Sequence, residues 1–371
     1  MKEIGIYVHI PYCKRKCYYC DFISFDNKSE TISNYVETIL KEIEECNYTG
    51  FDVGTIYIGG GTPSYIDSKY IVEIIRKLRE KFIVSINAEI TIEVNPGTIS
   101  KEKLEDYKKA GVNRLSIGLQ STDNNILKSI GRIHTYEEFL DTYNLARDLG
   151  FKNINIDFMI GLPEESQDSI TSQINKIINI KPEHISMYSL IVEDGTRMKQ
   201  MIDSKEKELP SEEDERKMYW KVKNVLEENG YEHYEISNFS LPGYKSRHNF
   251  DCWSQKEYIG FGTAAHSYFN GKRFSNKNTI EEYIEKYNEK NIEEEQSRED
   301  MAKEYILLGL RKIDGVCISE FESKFQINPL FYFRFEISKL VDEDLIEIDL
   351  DNIRLTKKGL DLANQVWQEF V

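Results

Sequence analysis

Hydrophobic and polar residues follow two alternating periods along the first half of the chain. Short β-branched and aromatic runs are typical of buried strands, and longer segments with apolar residues three and four positions apart are typical of amphipathic helices. The predicted strands are 6–10, 55–60, 88–96, 113–120, 153–163 and 184–193. The predicted helices between them are 31–46, 68–82, 100–111, 135–150 and 166–180. This alternation predicts an α/β protein with a parallel sheet.

The handedness of the strand connections favours a curved sheet, because right-handed crossovers wind consecutive strands in one direction. Periodicity alone leaves a partial barrel and an open doubly wound sheet as alternatives. We expect a partial (β/α)6 barrel of the TIM type over residues 1–200.

The pattern changes after Glu193. One long helix is predicted at 211–230, and a glycine- and aromatic-rich stretch follows it. We expect residues 201–290 to extend the core and residues 291–371 to form a small helical, winged-helix-like domain. The acidic segment 288–300 is expected to be a linker or a solvated helix face, and 344–356 a hairpin that turns at Asp351-Asn352.

Charge and hydropathy exclude several classes of protein. The net charge is −16, from 64 acidic and 48 basic residues, which argues against bulk attraction to nucleic acid or to an anionic membrane. No segment reaches the roughly 18 consecutive apolar residues of a membrane-spanning helix. The amino terminus lacks a signal-peptide pattern. We expect a cytoplasmic protein with no transmembrane segment and no nucleic-acid partner.

Three of the six cysteines lie within eight residues, directly after the first predicted strand, as Cys13-x3-Cys17-x2-Cys20. Three thiolates this close repel one another, and a metal would offset that repulsion. Structural zinc takes four ligands, and the available fourth ligand, His9, lies inside the strand. A four-iron cluster usually takes four thiolates, so three leave one iron open to a ligand. An iron–sulfur cluster is therefore favoured over the alternative of a zinc knuckle.

With an aromatic residue, Tyr19, before the last cysteine, this motif resembles the radical S-adenosylmethionine (SAM) superfamily. A wider set of segments resembles the oxygen-independent coproporphyrinogen III oxidase-like family over nearly the whole chain. These segments are YVHIPYC, CDF, YIGGGTPS, IEVNPG, RLSIGLQS, IDFMIGLP, YEHYEISNFS and the tail LTKKGLDLANQVWQEF. The oxidases carry a further cysteine where this chain has Phe22, and in this respect the chain resembles the haem-chaperone (HemW-like) branch.

The resemblance implies a [4Fe-4S] cluster on the three cysteines, bound SAM and an electron donor for the cluster. It also implies that the chain binds haem or a porphyrin and transfers haem to an acceptor protein. The alternative is an oxygen-independent coproporphyrinogen III oxidase, which forms protoporphyrinogen IX by oxidative decarboxylation, or a related porphyrin-directed radical enzyme. Phe22 argues against the oxidase, so whether the chain is an enzyme stays open. A nucleic-acid-modifying radical enzyme is disfavoured by the negative charge.

Candidate SAM-binding residues lie where predicted strands end, the face at which barrel chemistry collects. By resemblance, the glycine-rich turn after the second strand would line the methionine moiety, although a tight turn alone would also explain it. Glu93 suits an ammonium or ribose hydroxyls, and Arg132 could neutralise a carboxylate. Asp157 interrupts an apolar strand, which is costly without a partner. The predicted set is Tyr7, Tyr19, Gly60, Gly61, Thr62, Glu93, Gln120, Arg132 and Asp157.

A haem-binding segment is predicted at RHNFDCW, residues 247–253. This segment resembles the His-Asn-x-x-Tyr-Trp pattern of the haem-chaperone branch. This chain has Cys252 at the tyrosine position of that pattern. A histidine is a natural axial ligand of haem iron, and a tryptophan could stack on the macrocycle. The predicted haem residues are His248, Cys252 and Trp253, and the alternative is a packing loop.

Overall fold

Six parallel strands in sequence order form the centre of one large sheet. The computed structural model describes residues 2–48 and 50–371. The strands are β1 (Glu3–Ile10), β2 (Asp52–Gly60), β3 (Ile83–Val94), β4 (Arg114–Gln120), β5 (Ile154–Ile160) and β6 (His184–Ser189). The helices that connect them are α1 (Ile32–Glu45), α2 (Ser68–Lys81), α3 (Lys101–Ala110), α4 (Asn124–Ser129), α5 (Tyr136–Asp148) and α6 (Gln167–Asn179). The parallel alternation predicted from the sequence is therefore present, and α4 is an addition to it that was not predicted.

Further strands extend this sheet at both edges, and it stays open as a twelve-stranded sheet. Beside β6 lie β8 and β7, and beside β1 lies β9, which is parallel to it and is followed by antiparallel strands. Their bounds are β7 (Glu232–Glu235), β8 (Asn238–Ser240), β9 (Tyr258–Phe261), β10 (His266–Phe269), β11 (Lys272–Ser275) and β12 (Asn291–Glu295). The acidic segment expected to be a linker or helix face contains β12, which pairs with β11. That expectation is wrong, because backbone pairing with β11 outweighs the exposed polar pattern.

The helices form where the sequence supplies an apolar face and a cap. In α2, Ile71, Ile74 and Leu78 are fully buried, at the spacing of one helix face. The Asp67 side chain accepts a hydrogen bond from the backbone N–H of Lys69 and so caps the first turn. α3 ends at Gly111, whose φ of 100° is the left-handed conformation that favours glycine.

The chain contains two main hydrophobic cores. The first extends from Ile4 to Tyr283 and the second from Ala302 to Phe370. The segment between β6 and the second core carries α7 (Arg197–Asp203), α8 (Glu212–Glu228), α9 (Arg247–Trp253) and α10 (Ile280–Lys286). No helix in the described ranges is both long enough and apolar enough to cross a membrane.

The second core lies in a small unit of helices around a three-stranded antiparallel sheet. Its strands are β13 (Val316–Cys317), β14 (Ile346–Asp349) and β15 (Asn352–Leu355). Its helices are α11 (Arg298–Gly309), α12 (Ile318–Phe325), α13 (Pro329–Tyr332), α14 (Arg334–Asp342), α15 (Lys357–Asp361) and α16 (Ala363–Gln368). The predicted hairpin is present, but it turns at Leu350-Asp351, one residue earlier than expected.

Candidate functional site

A cavity of about 410 Å³ lies at the carboxyl ends of the parallel strands. We call it the strand-end cavity. All three clustered cysteines line it, together with every predicted SAM-binding residue except Tyr7. These predicted lining residues are Cys13, Cys17, Cys20, Tyr19, Gly60, Gly61, Thr62, Glu93, Gln120, Arg132 and Asp157. Because residues from β2, β3, β4 and β5 reach one cavity, the sheet must curve around it, as in a partial barrel.

The cysteine loop is held in shape by backbone hydrogen bonds at its base. Tyr12 and Phe25 form a parallel bridge, in which the N–H of Cys13 donates to the Phe25 carbonyl at 2.9 Å. The N–H of Thr62 donates to the Tyr12 carbonyl at 2.8 Å. The Arg15 guanidinium donates to the carbonyl of Gly131 at 2.9 Å. The loop is thus fixed against both the end of β2 and the segment after α4.

The three thiols share this cavity without forming a closed metal site. Within residues 2–48 and 50–371, no three or more His, Cys, Asp or Glu side chains converge as ligands of one metal ion. A single zinc needs its sulfur ligands at about 2.3 Å from one point, whereas an iron–sulfur cluster takes thiolates on different irons. Three thiols that line one cavity are the donor set that iron–sulfur clusters use.

Burial favours the protonated form of two of the three thiols, Cys13 and Cys20. Burial raises the pKa of Cys13. Burial and the nearby Cys17 raise the pKa of Cys20 to about 11. A coordinating metal deprotonates a thiol outright, so these thiols need a strong cation before they carry charge.

Arg132 supplies a buried cation next to the cysteines. Its Nη1 lies 3.5 Å from Cys17 Sγ, and its Nη2 donates to the Gly118 carbonyl at 2.6 Å and to Asn95 Oδ1 at 3.1 Å. Burial alone would lower the pKa of Arg132, but the charges of Cys17 and Tyr19 outweigh burial and raise it. Its Nε is buried and has no hydrogen-bond partner among the described residues. A guanidinium held in this way suits a ligand carboxylate.

Gly60 and Gly61 bring the backbone of β2 close to the cysteine loop. Gly60 has a φ of 115°, and a Cβ there would lie 2.6 Å from the ring of His9. A Cβ on Gly61 would lie 2.9 Å from the Pro11 carbonyl carbon. Both positions therefore require glycine, and a simple turn would not need both. The lack of side chains leaves main-chain atoms facing the cavity.

Two buried carboxylates also line the cavity. Glu93 accepts hydrogen bonds from the Tyr57 hydroxyl at 2.9 Å and from the Gly60 N–H at 3.0 Å. Burial, and secondarily the charge of Asp157, raises the pKa of Glu93 to about 7. Burial also raises the pKa of Asp157, although hydrogen bonds from Asn155 and the charge of Arg114 oppose it. A carboxylate near neutral pKa can ionise when a cationic ligand group arrives.

Several lining residues were missed by sequence reasoning. They are Arg15, Asp21, Phe22, Val94, Asn95, Ser116, Gly118, Met159, Tyr188, Ser189, Leu190, Ile191 and Glu193. Most follow the end of a strand or flank a predicted residue, so the strand-end rule applied to β6 would have found Tyr188. Gln120, which was predicted, has a φ of 71°, and such strain in a residue other than glycine is typical of functional sites.

Tyr7 does not line the strand-end cavity. Its hydroxyl donates to His9 Nδ1 at 2.9 Å, since His9 Nε2 faces the Ile23 carbonyl at 2.8 Å and carries the proton. Its ring stacks against Tyr57 with 6.3 Å between the centroids. Tyr7 therefore supports residues of the site from inside the sheet.

The predicted haem residues do not line the strand-end cavity, and His248 lies against the middle of β2 and β3. His248, in α9, is 6% exposed, and its Nδ1 pairs with Thr55 Oγ1 at 2.8 Å. Its backbone N–H donates to Glu89, near the middle of β3, at 3.1 Å. Burial and the charge of Arg114 lower its pKa to about 4. Thr55 therefore engages Nδ1 of this ring, and the ring lies beside Tyr57.

Cys252 and Trp253 are half-buried. Burial raises the pKa of Cys252 to about 12, so the thiol stays neutral. The Arg311 guanidinium lies 4.3 Å from the centre of the Trp253 ring. The haem-binding role of this segment stays a prediction. His248 lies 5.3 Å from the Tyr57 ring, and Tyr57 in turn donates to Glu93.

Comparisons with known proteins agree with this geometry. Residues 7–175 match the family model of the radical SAM superfamily, and residues 296–362 match that of the HemN C-terminal domain. The heme chaperone HemW of Lactococcus lactis is 36% identical, over 100% of this chain and 98% of the relative. The heme chaperone HemW of Bacillus subtilis is 35% identical, over 98% of each chain.

A solved structure matches the whole fold. Coproporphyrinogen III oxidase (HemN) from Escherichia coli, a radical SAM enzyme, aligns with a TM-score of 0.86 and 22% identity. The alignment covers 100% of this chain and 90% of that chain. It confirms the predicted α/β radical SAM fold with a small carboxyl-terminal domain.

Proposed function

This chain belongs to the HemW family of the radical SAM superfamily, and on that premise we propose that it binds a [4Fe-4S] cluster, SAM and haem and transfers haem to an acceptor protein. The single observation that carries the cofactor proposal is the strand-end cavity. This cavity brings together three thiols, a buried guanidinium and a carboxyl group whose pKa is about 7. That set matches a cluster with one open iron and a zwitterionic ligand beside it.

The residues that line the cavity have distinct roles in this proposal. Cys13, Cys17 and Cys20 hold the cluster. Arg132 pairs with the carboxylate of the methionine moiety, and Glu93 receives its ammonium. When bound, the cluster and SAM together supply one-electron chemistry, for which an external electron donor is required. The glycine backbone at 60–61 positions the ligand.

The second candidate function is oxygen-independent coproporphyrinogen III oxidation, and the match to HemN supports the fold that it would need. Phe22 lines the cavity where the oxidases have a further cysteine, which favours the haem chaperone. The test uses anaerobic, cluster-loaded protein with SAM and a reductant. We expect saturable haem binding in an absorption titration and no protoporphyrinogen from coproporphyrinogen. Turnover to protoporphyrinogen would overturn the preference, and failure to bind haem would overturn the chaperone proposal.

SAM affinity is expected to depend on pH through Glu93. Below a pKa of about 7 the carboxyl is neutral and cannot pair with an ammonium. The dissociation constant should therefore rise about tenfold between pH 8 and pH 6, by simple protonation linkage. Isothermal titration of cluster-loaded protein across this range measures the effect.

Two variants identify the titrating group. Glu93→Gln should bind SAM weakly at pH 8 and show little further change down to pH 6. Tyr57→Phe removes a hydrogen bond that lowers the pKa of Glu93, so the midpoint should move to higher pH. An unchanged pH profile in Glu93→Gln would assign the titration to another group and remove Glu93 from this role.

A further inference from the structure

An exposed apolar rim lies on one side of the strand-end cavity. Phe22 is 66% exposed, Tyr188 40% and Ile191 69%, and all three line the same cavity. Single exposed apolar side chains are ordinary on protein surfaces. Three large ones converging on the edge of a functional cavity are typical of a binding surface.

The rim is built on a rigid base. Leu190 and Met159 also line the cavity and are buried, and they belong to a small core against which Tyr18 and Tyr19 pack. The N–H of Leu190 donates to the Ile160 carbonyl at 3.0 Å. The rim therefore joins two fixed segments, the cysteine loop and the turn after β6, and its exposure does not come from a chain end.

Positive charge flanks the rim in a chain whose net charge is −16. Lys14 and Arg15 are exposed, and Arg15 lines the cavity. Lys16 Nζ donates to the Phe22 carbonyl at 2.9 Å, which places its ammonium at the apolar edge. The acidic side chains of Asp21 and Glu193 also line the cavity. Of the three consecutive cations, Arg15 and Lys16 place positive charge beside the rim, next to the carboxyl groups of Asp21 and Glu193.

We propose that this rim is the docking face for haem, with one porphyrin face against Phe22, Tyr188 and Ile191 and the propionates towards Lys14, Arg15 and Lys16. The assignment rests on the proposed function, since it presumes that the chain binds haem. A flat apolar plate with carboxylates along one edge matches an apolar rim with cations along one edge. Phe22 is the most exposed aromatic side chain of the cavity lining. The assignment therefore gives Phe22 a role that a thiol at this position would not fill.

The test is haem titration by absorption, with cluster-loaded protein. The rim variant is Phe22→Ser combined with Ile191→Ser, and the matched control is Ile86→Ser combined with Leu350→Ser. Both control residues are 97% exposed and lie outside the strand-end cavity. We expect the rim variant to bind haem at least tenfold more weakly than the wild type and the control variant to bind it with wild-type affinity. Iron and sulfide content should be the same in all three proteins, which shows that the cysteine loop is still folded.

A second pair of measurements tests the charged side. Lys14→Gln combined with Lys16→Gln should weaken haem binding several-fold but leave the binding of haem dimethyl ester unchanged. If the rim variant binds haem as tightly as the control, the docking face is wrong while haem binding itself stands. If the wild type binds no haem, the proposed function and the docking face fail together. If His248→Ala loses haem binding and the rim variant keeps it, the haem site lies at α9 instead.

Discussion

Replacing any one of Cys13, Cys17 and Cys20 by serine is expected to abolish the iron–sulfur cluster. These three thiols lie in one cavity, and no other cysteine of the described residues lines it. Two thiolates are too few to retain a cluster that already has one open iron. Iron and sulfide should fall from about four per chain to near zero after anaerobic reconstitution, with loss of the broad visible absorption.

The matched control is Cys317→Ser in the carboxyl-terminal unit. Cys317 lies in β13, and its thiol contacts Ser319 and Asp351. This variant should load the same iron and sulfide as the wild type. A serine variant of the loop that keeps full iron and sulfide would contradict the ligand assignment. Wild-type protein that holds zinc without sulfide would contradict the cluster altogether.

Substitution of Gly60 by alanine is expected to have the second-largest effect. The residue would keep a φ of 115°, and its Cβ would lie 2.6 Å from the His9 ring. His9 is buried and both its ring nitrogens are hydrogen-bonded, so the ring cannot move aside freely. Backbone strain of about 1–3 kcal/mol and the steric conflict add, and the cysteine loop should shift. Unfolding in urea should show a loss of about 2–5 kcal/mol, on the scale of the most damaging single substitutions.

The Gly243→Ala variant distinguishes backbone strain at positive φ from a steric clash of the added Cβ. Gly243 has a φ of 87°, but nothing lies within 4 Å of a Cβ at that position. This variant should lose about 1 kcal/mol of stability from the backbone alone and should bind SAM as the wild type does. Gly60→Ala should also bind SAM at least tenfold more weakly. Equal losses in the two variants would mean that the close approach at Gly60 has no special role.

The parallel core could be predicted because its signal is local. β4 and β5 are almost entirely buried, so each shows as an unbroken apolar run between helical patterns. The strand-end rule then places Glu93 and Gln120 at one cavity, and Asp157 is found as a carboxylate that interrupts an apolar strand. Tyr19 and Arg132 are assigned to the same cavity only through the family resemblance, since neither ends a strand.

The edge strands and the haem segment could not be predicted in the same way. β7 to β12 are three to five residues long, which is too short for a period to emerge, and β12 is polar and mostly exposed. The burial of His248 is fixed by Thr55 and Glu89, which are remote in sequence. The amino-acid sequence of a histidine motif is the same whether its ring faces a ligand or packs against a sheet. Tertiary contacts therefore determine the environment of the ring.

The bridge between Tyr12 and Phe25 bears on how the protein survives exposure to oxygen. Because main-chain hydrogen bonds close the cysteine loop at its base, we expect the loop to keep its conformation if the proposed cluster is lost. Oxidative damage should then empty the site while the polypeptide stays folded. We expect such a molecule to be repaired by fresh delivery of iron and sulfide, with no need for new synthesis.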